Sequence, residues 1–239
     1  MNQIIYTLLW LYTVQPSPSL GSASPRTGYD SAGITKHVTK AEKNSLLNRF
    51  KCFYPENDNA IYSITLCADI PDNNHPDHVN LGEEPGHVFI ILSKTDTSTG
   101  GVSIYQSFGF YPHRPVSCLI FKKVRGVIID NQRREYNASV YKILSAQEFQ
   151  LVQQKSAKLA KKKYSLNKYN CYDYAIEVFN SIPGIEKMPV SRIKFPFIFG
   201  KGGSPCCLYR DLQRLRQGGS SWAQFIQFGM FKSPPSCSP

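Results

Sequence analysis

The sequence predicts an α+β fold, and three observations support this prediction. Segments with strand-like alternation occupy the middle of the chain, as in Ala60–Ala68 and Val102–Phe110. Two helix starts follow them, at Ser145–Glu148 and Asn170–Asp173, and each has the spacing of a capping box. A segment of helical composition, Thr39–Phe50, precedes the strands. Strands in the middle with helices on both sides are typical of the α+β class.

The strands are predicted from apolar runs bounded by turn residues. The most apolar run begins at His87 and continues to Leu92. The turn at Thr95–Gly101, rich in Thr, Ser and Gly, joins this strand to Val102–Phe110 as a hairpin. Further strands are expected at Ser117–Val124, Gly126–Ile129 and Ala138–Ile143.

The two capped helices are predicted to differ in length. The first runs from Ser145 to about Lys163, and the second begins at Cys171 and ends at Pro183–Gly184. The remainder of the chain, Phe195–Pro239, is expected to be irregular apart from an amphipathic stretch at Leu208–Leu215.

The N-terminus contains an apolar run, Ile4–Val14, that is too short to span a bilayer and is followed by small residues up to Ala23. A cleaved signal peptide has this pattern, and it would make the protein secreted or periplasmic. No Lys or Arg precedes the run, so the alternative that this stretch has no role in export stays open. No other segment is expected to be transmembrane.

The expected division is residues 1–23 as signal peptide, 24–38 as flexible linker, 39–215 as the catalytic domain and 216–239 as an irregular tail.

The net charge of +11 favours an anionic partner such as a cell-wall polymer, a membrane surface or nucleic acid. Clusters of basic residues usually form a solvated surface. The functional alternative is that they bind an anionic substrate. No pattern of a nucleic-acid-binding module is present, so no specific nucleic-acid partner is expected. The two basic clusters are Lys155, Lys158, Lys161, Lys162 and Lys163, and Lys122, Lys123, Arg125, Arg133 and Arg134.

The seven cysteines leave the redox state open. If Cys171 is a nucleophile, the other six permit three disulfides, whereas reduced and buried thiols are the alternative. The His75–His78 segment has two histidines three residues apart, but Pro76 and its polar neighbours favour a solvated loop over a zinc site. No metal or cofactor is therefore expected.

Cys171 and His87 are the candidate catalytic pair. A thiol in the first turn of a capped helix is close to unpaired backbone N–H groups, which favour a thiolate and can hold an oxyanion. A histidine on a neighbouring strand supplies the base. Either residue alone is more often structural, so the prediction depends on the pair.

Four motifs resemble a known family: GHVFIIL at Gly86, SFGFYP at Ser107, NCYDYAIEVFN at Asn170 and GGSPCCLYRDL at Gly202. Together they are similar to circularly permuted papain-like cysteine hydrolases, which include the NlpC-type enzymes, the cysteine–histidine amidohydrolases and peptidases, and lecithin:retinol acyltransferase. In permuted members the histidine strand precedes the cysteine helix, which is the order found here. The resemblance spans Ile61–Leu215.

This resemblance implies that Cys171 is the nucleophile and His87 the general base and later acid. In the family a polar residue on the neighbouring strand orients the imidazole. Gln106 and Ser107 are the candidates here, with His113 further along, and neither Gln106 nor Ser107 is the Asp or Asn usual in this role. Both could equally be ordinary polar residues of a half-buried strand.

The leading functional hypothesis is a secreted thiol hydrolase that cleaves an amide bond in peptidoglycan peptides. Its expected partner is an anionic polymer, and an effector role with an inhibitor or immunity protein is an open extension. One alternative is a lipid-directed acyltransferase or phospholipase, and the other is a non-catalytic basic binding module. The lipid alternative depends on the aromatic residues Phe195, Phe197, Phe199, Trp222, Phe225, Phe228 and Phe231.

Overall fold

The computed structural model describes residues 46–55, 59–72, 75–79, 85–98, 101–115, 117–120, 122–195 and 200–238. The expected signal peptide and linker lie outside these residues, as do the first part of the Thr39–Phe50 helix and the aromatic residues Phe197 and Phe199. No helix within the described ranges has the length and apolar character needed to cross a bilayer.

A seven-stranded sheet forms the centre of the structure, and every neighbouring pair of its strands is antiparallel. The strand order is β6-β4-β3-β2-β1-β5-β9, and β7 and β8 form a separate two-stranded sheet. The α+β prediction is confirmed at this level. The strands are β1 (Ala60–Asp69), β2 (His87–Asp96), β3 (Ser103–Pro112), β4 (Val124–Asp130), β5 (Glu135–Leu144), β6 (Lys163–Tyr164), β7 (Ile193–Lys194), β8 (Lys201–Gly202) and β9 (Ile226–Lys232).

Both predicted capping boxes are present at the starts of their helices. Ser145 caps one and Asn170 the other, and in each the third helical residue bonds back to the cap. The helices are α1 (Leu46–Arg49), α2 (Ser117–Ile120), α3 (Ala146–Leu159), α4 (Cys171–Phe179) and α5 (Pro205–Gln217), with 3-10 turns at Phe50–Phe53 and Ala223–Phe225.

The two faces of the sheet bury different clusters. Val88, Ile90 and Leu92 of β2 belong to the main core together with residues of α4 such as Tyr174. Phe89 and Ile91 belong to a smaller cluster on the opposite face. Because alternate strand residues share a face, His87 lies on the Phe89 side, away from the face that packs on α4.

Two predicted elements are corrected by the structure. The segment predicted as a strand at Ser117–Val124 begins with α2, and the sheet strand β4 starts only at Val124. The amphipathic stretch expected at Leu208–Leu215 lies within α5, but the rest of the region after Phe195, predicted to be irregular, also contains β9, which pairs with β5 along the sheet edge. Gly229, with φ of 154°, interrupts the β9 pattern and obscures the strand in the sequence.

One disulfide joins Cys52, in the 3-10 turn after α1, to Cys237 near the end of the described chain. All seven cysteines lie in the described residues, so the pattern with three disulfides does not form. The free cysteines are Cys67, Cys118, Cys171, Cys206 and Cys207.

Candidate active site

Cys171 is the first residue of α4, and its position is fixed by the cap residue before it. The Asp173 carboxylate accepts a hydrogen bond from the Asn170 backbone N–H at 3.0 Å. The Asn170 amide Nδ2 donates to the carbonyls of Leu166 at 2.7 Å and Gly203 at 2.8 Å. The helix start is therefore tied to two other segments, which holds the thiol in place.

The Cys171 thiol is protonated at neutral pH. Burial raises its pKa to about 11, and only 8% of the residue is exposed. Hydrogen bonds from the backbone N–H groups of Val88 and Tyr172, together with the positive charge of Arg134, act in the opposite direction but do not offset burial. The thiolate expected at a helix start is thus disfavoured by desolvation, and the thiol would need a base to ionise at neutral pH.

His87 begins β2 after a glycine that no other residue could replace without strain. Gly86 has φ of 71°, and a Cβ there would lie 2.3 Å from the carbonyl oxygen of Asp69. Because β1 and β2 pair Asp69 with His87, this close approach sets where the histidine enters the sheet. The imidazole stacks on the ring of Tyr111 with 4.0 Å between centroids and 20° between planes.

The His87 imidazole is neutral at neutral pH. Burial and the nearby Arg134 charge hold its pKa well below the usual 6.5. Arg134 pairs with Asp69 through a 2.6 Å contact between Nη2 and Oδ2. A neutral imidazole can accept a proton, which is what a protonated thiol requires.

Asn131 supplies an acceptor beside the His87 ring. It follows directly after β4 and is 3% exposed, and its Oδ1 has no hydrogen-bond partner. The buried His87 Nε2 has none either. A Cβ atom placed on Gly109 would lie 2.2 Å from His87 Nε2 and 2.6 Å from Asn131 Oδ1. The distance between Nε2 and Oδ1 is therefore at most the sum of these two distances. In the tautomer with the hydrogen on Nε2, this N–H could donate a hydrogen bond to the Asn131 side-chain carbonyl. Nδ1 would then be free to accept a proton.

Gln106 and Ser107 lie away from the imidazole. The β2–β3 register pairs them with Leu92 and Ile91, several residues along β2 from His87. Gln106 donates instead to the Cys237 carbonyl at 2.5 Å, and the buried Ser107 Oγ has no partner. Asn131, which sequence reasoning missed, occupies the position beside His87. Its only signal in the sequence is a polar Asp-Asn-Gln break after the apolar β4 strand.

The C-terminal segment holds the turn that carries Asn131 and Arg134. The Ser233 hydroxyl donates to the Asn131 carbonyl and accepts from the Arg134 backbone N–H at 2.9 Å. Further on, the Ser236 hydroxyl bonds Asp130 Oδ1 at 2.8 Å, and the Cys237 N–H bonds the Tyr105 carbonyl at 2.7 Å. The disulfide at Cys237 thus anchors a segment that supports the site.

Cys171 lies near the backbone at the start of β2. The backbone N–H of Val88, the residue after His87, favours the thiolate and so acts to lower the pKa of Cys171. Cys171 belongs to the helix on the Val88 face, whereas His87 lies on the Phe89 face, and no hydrogen bond joins the thiol to the imidazole. The two groups therefore lie on opposite faces at the same strand end.

His113 and the His75–His78 segment lie outside this arrangement. The His113 backbone N–H donates to the Arg125 carbonyl at 2.9 Å, beyond the end of β3. His75 Nδ1 contacts Asp72 Oδ2 at 2.9 Å on the surface. Across the described ranges, no group of three or more His, Cys, Asp and Glu side chains is arranged to hold a metal ion.

The site therefore contains a buried thiol, a neutral imidazole and an amide carbonyl, carried by α4, β2 and the turn after β4. Such a set has the components for nucleophilic attack with general-base assistance. Comparison of the chain with protein-family models, curated proteins and solved structures returned no match.

Proposed function

We propose that this protein is a thiol hydrolase of the circularly permuted papain-like type and that it cleaves an amide bond. The observation that carries the proposal is the buried pair of His87 and Asn131 at the start of β2. The next residue of that strand, Val88, has a backbone N–H that acts on the pKa of the Cys171 thiol. Two unpartnered buried polar atoms this close together are rare in a purely structural role, because such atoms cost stability. Functional sites are where that cost is tolerated.

In the proposed reaction the Cys171 proton passes to Nδ1 of His87 as Sγ attacks the substrate carbonyl carbon. The C=O electrons move to oxygen, and backbone N–H groups at the α4 start stabilise that oxyanion. The C–N bond then breaks as His87 returns the proton to the leaving amine. Water, deprotonated by His87, attacks the resulting thioester. The C–S bond breaks, the acid product leaves, and His87 returns the proton to the Cys171 sulfur. Asn131 Oδ1 is the proposed acceptor for Nε2–H and stabilises the imidazolium once it forms.

Peptidoglycan peptides are the proposed substrate. The net charge of +11 suits an anionic wall polymer. The Cys52–Cys237 disulfide suits an oxidising compartment outside the cytosol, in line with the proposed export. The charge and the compartment of the protein thus support the proposed substrate class. The chemistry of the site supports the proposed cleavage of an amide bond.

The test is digestion of purified peptidoglycan by the wild type and by Cys171→Ala, with soluble fragments identified by mass spectrometry. Cys118→Ser is the matched control, because Cys118 is a free, half-buried cysteine outside the site. Fragments released by the wild type and the control but not by Cys171→Ala would support the proposal, and their masses would identify the bond. Equal release by all three proteins, or none by any, would contradict it.

A further inference from the structure

Two basic segments that are far apart in the sequence line one cleft in the fold. Strand β6 pairs with β4 and sets Lys163 opposite Arg125. The cleft has a volume of about 520 Å³. Its lining consists of Lys123, Val124, Arg125 and Gly126 on one side and Ala160, Lys161, Lys162 and Lys163 on the other.

The charge in this cleft is poorly compensated by the protein itself. Lys162 is paired, since its Nζ contacts Glu177 at 2.7 Å and lies 4.2 Å from the centre of the Tyr169 ring. In the part of the chain that the structure describes, no acidic side chain pairs with Lys123, Lys161 or Lys163, and all three are exposed. The charges of Lys123, Lys161 and Lys163 repel one another within this cleft, and a bound anion would relieve that repulsion.

We propose that this cleft binds a polyol-phosphate chain, meaning a polymer of phosphodiester groups without bases. Nucleic acid is disfavoured because the uncharged lining residues are Val124, Gly126 and Ala160, which offer no aromatic ring for base stacking. A membrane is disfavoured because the cations line a concavity rather than a flat face. The inference goes beyond the proposed hydrolysis, and it holds whether or not Cys171 is a nucleophile.

Binding is measured in the Cys171→Ala background, so that a failure of the cleft and a failure of the proposed catalysis are separate results. The probe is a fluorescently labelled poly(glycerol phosphate), followed by anisotropy over a range of salt concentrations. The two triple variants lose the same charge at exposed lysines, and thermal melts confirm that they fold. The cleft variant carries Lys123→Gln, Lys161→Gln and Lys163→Gln, and the control carries Lys51→Gln, Lys187→Gln and Lys201→Gln.

The cleft variant is expected to bind about tenfold more weakly or worse, with a shallower dependence on salt, while the control binds like its parent. Equal weakening in both variants would overturn the proposal, because net charge alone would then explain binding. No binding of the probe by the parent would also overturn it. Stronger binding of an oligothymidylate of equal charge, or of vesicles containing an anionic phospholipid, would assign the cleft to nucleic acid or membrane instead.

Discussion

Asn131 and His87 direct two buried polar atoms, Oδ1 and Nε2, at one point above Gly109. Neither atom has a hydrogen-bond partner in the resting structure, and an unsatisfied buried group costs about 1–3 kcal/mol. A small rotation that joins Nε2–H to Oδ1 satisfies both. The pair is thus poised to orient the imidazole, and the first two predictions follow from it.

Replacing Asn131 with Ala is expected to lower kcat/KM for hydrolysis about 10- to 100-fold, because the imidazole loses the group that fixes its tautomer. Steady-state kinetics on the released peptide measure the effect, and a thermal melt checks folding. Ser107→Ala is the matched control, since Ser107 is a buried residue that contacts Asn131 only through its backbone carbonyl, which the substitution keeps. If Ser107→Ala lost as much activity as Asn131→Ala, the role of orienting the imidazole would be assigned to Ser107 of β3 instead.

Gly109→Ala is expected to abolish most activity, because its Cβ would lie 2.2 Å from His87 Nε2 and displace the ring. Overpacking at this buried position should also lower the free energy of unfolding by about 1–3 kcal/mol. Urea denaturation and hydrolysis assays measure the two effects. Gly101→Ala is the comparison, since its Cβ would meet nothing within 4 Å although φ is 81°. That variant should lose stability and keep its activity, and an inactive Gly101→Ala would contradict the argument.

The pH dependence follows from the lowered pKa of His87. Hydrolysis requires the neutral imidazole, so the acid limb of the kcat/KM profile should lie below pH 6.5, the usual histidine value. Arg134→Gln removes a positive charge that lowers this pKa and leaves the Asp69 carboxylate without its 2.6 Å partner contact. Both changes favour the protonated ring, so the acid limb should move to higher pH. An unchanged limb would show that another group controls it.

The same site predicts slow alkylation of the resting thiol. Because the Cys171 pKa is raised to about 11, labelling with iodoacetamide should keep increasing with pH above the range in which ordinary thiols are already ionised. Mass spectrometry of the labelled peptide separates this thiol from the four other free ones. Rapid labelling at neutral pH would instead indicate a resting thiolate.

Reduction of the Cys52–Cys237 disulfide should lower the free energy of unfolding by about 2–5 kcal/mol. It should also reduce hydrolysis, because the anchored segment bonds the turn of Asn131 through Ser233. Cys237→Ser, compared with Cys118→Ser in chemical denaturation and activity assays, separates the two effects. Reduced stability with full activity would mean that the segment does not position Asn131.

The sequence was sufficient for elements specified by local chemistry. The caps Ser145 and Asn170 bond their own helices, so both helix starts were predicted correctly. The apolar alternation around Ile90 and Phe108 likewise defined two central strands. The position of Cys171 at a helix start and of His87 at a strand start came from these local signals.

Asn131 could not be found in this way, because it is brought to His87 by the pairing of β3 with β4. That register aligns Gly109 with Ile129 and Phe108 with Asp130, a relationship between distant segments that a local pattern does not encode. The pKa of Cys171 also could not be predicted from the sequence. The helix start lowers this pKa and burial raises it, and only the packing of the folded chain decides which effect is larger.

The bonds from Ser233 to the turn of Asn131 have a consequence for biosynthesis. The site draws on β2, the turn after β4, α4 and a segment close to the last described residue, so its contacts are of long range along the chain. A ribosome releases the segment around Ser233 only after all the other parts of the site have emerged. The imidazole is therefore oriented only once that segment has docked, and a nascent chain should remain catalytically inert until then.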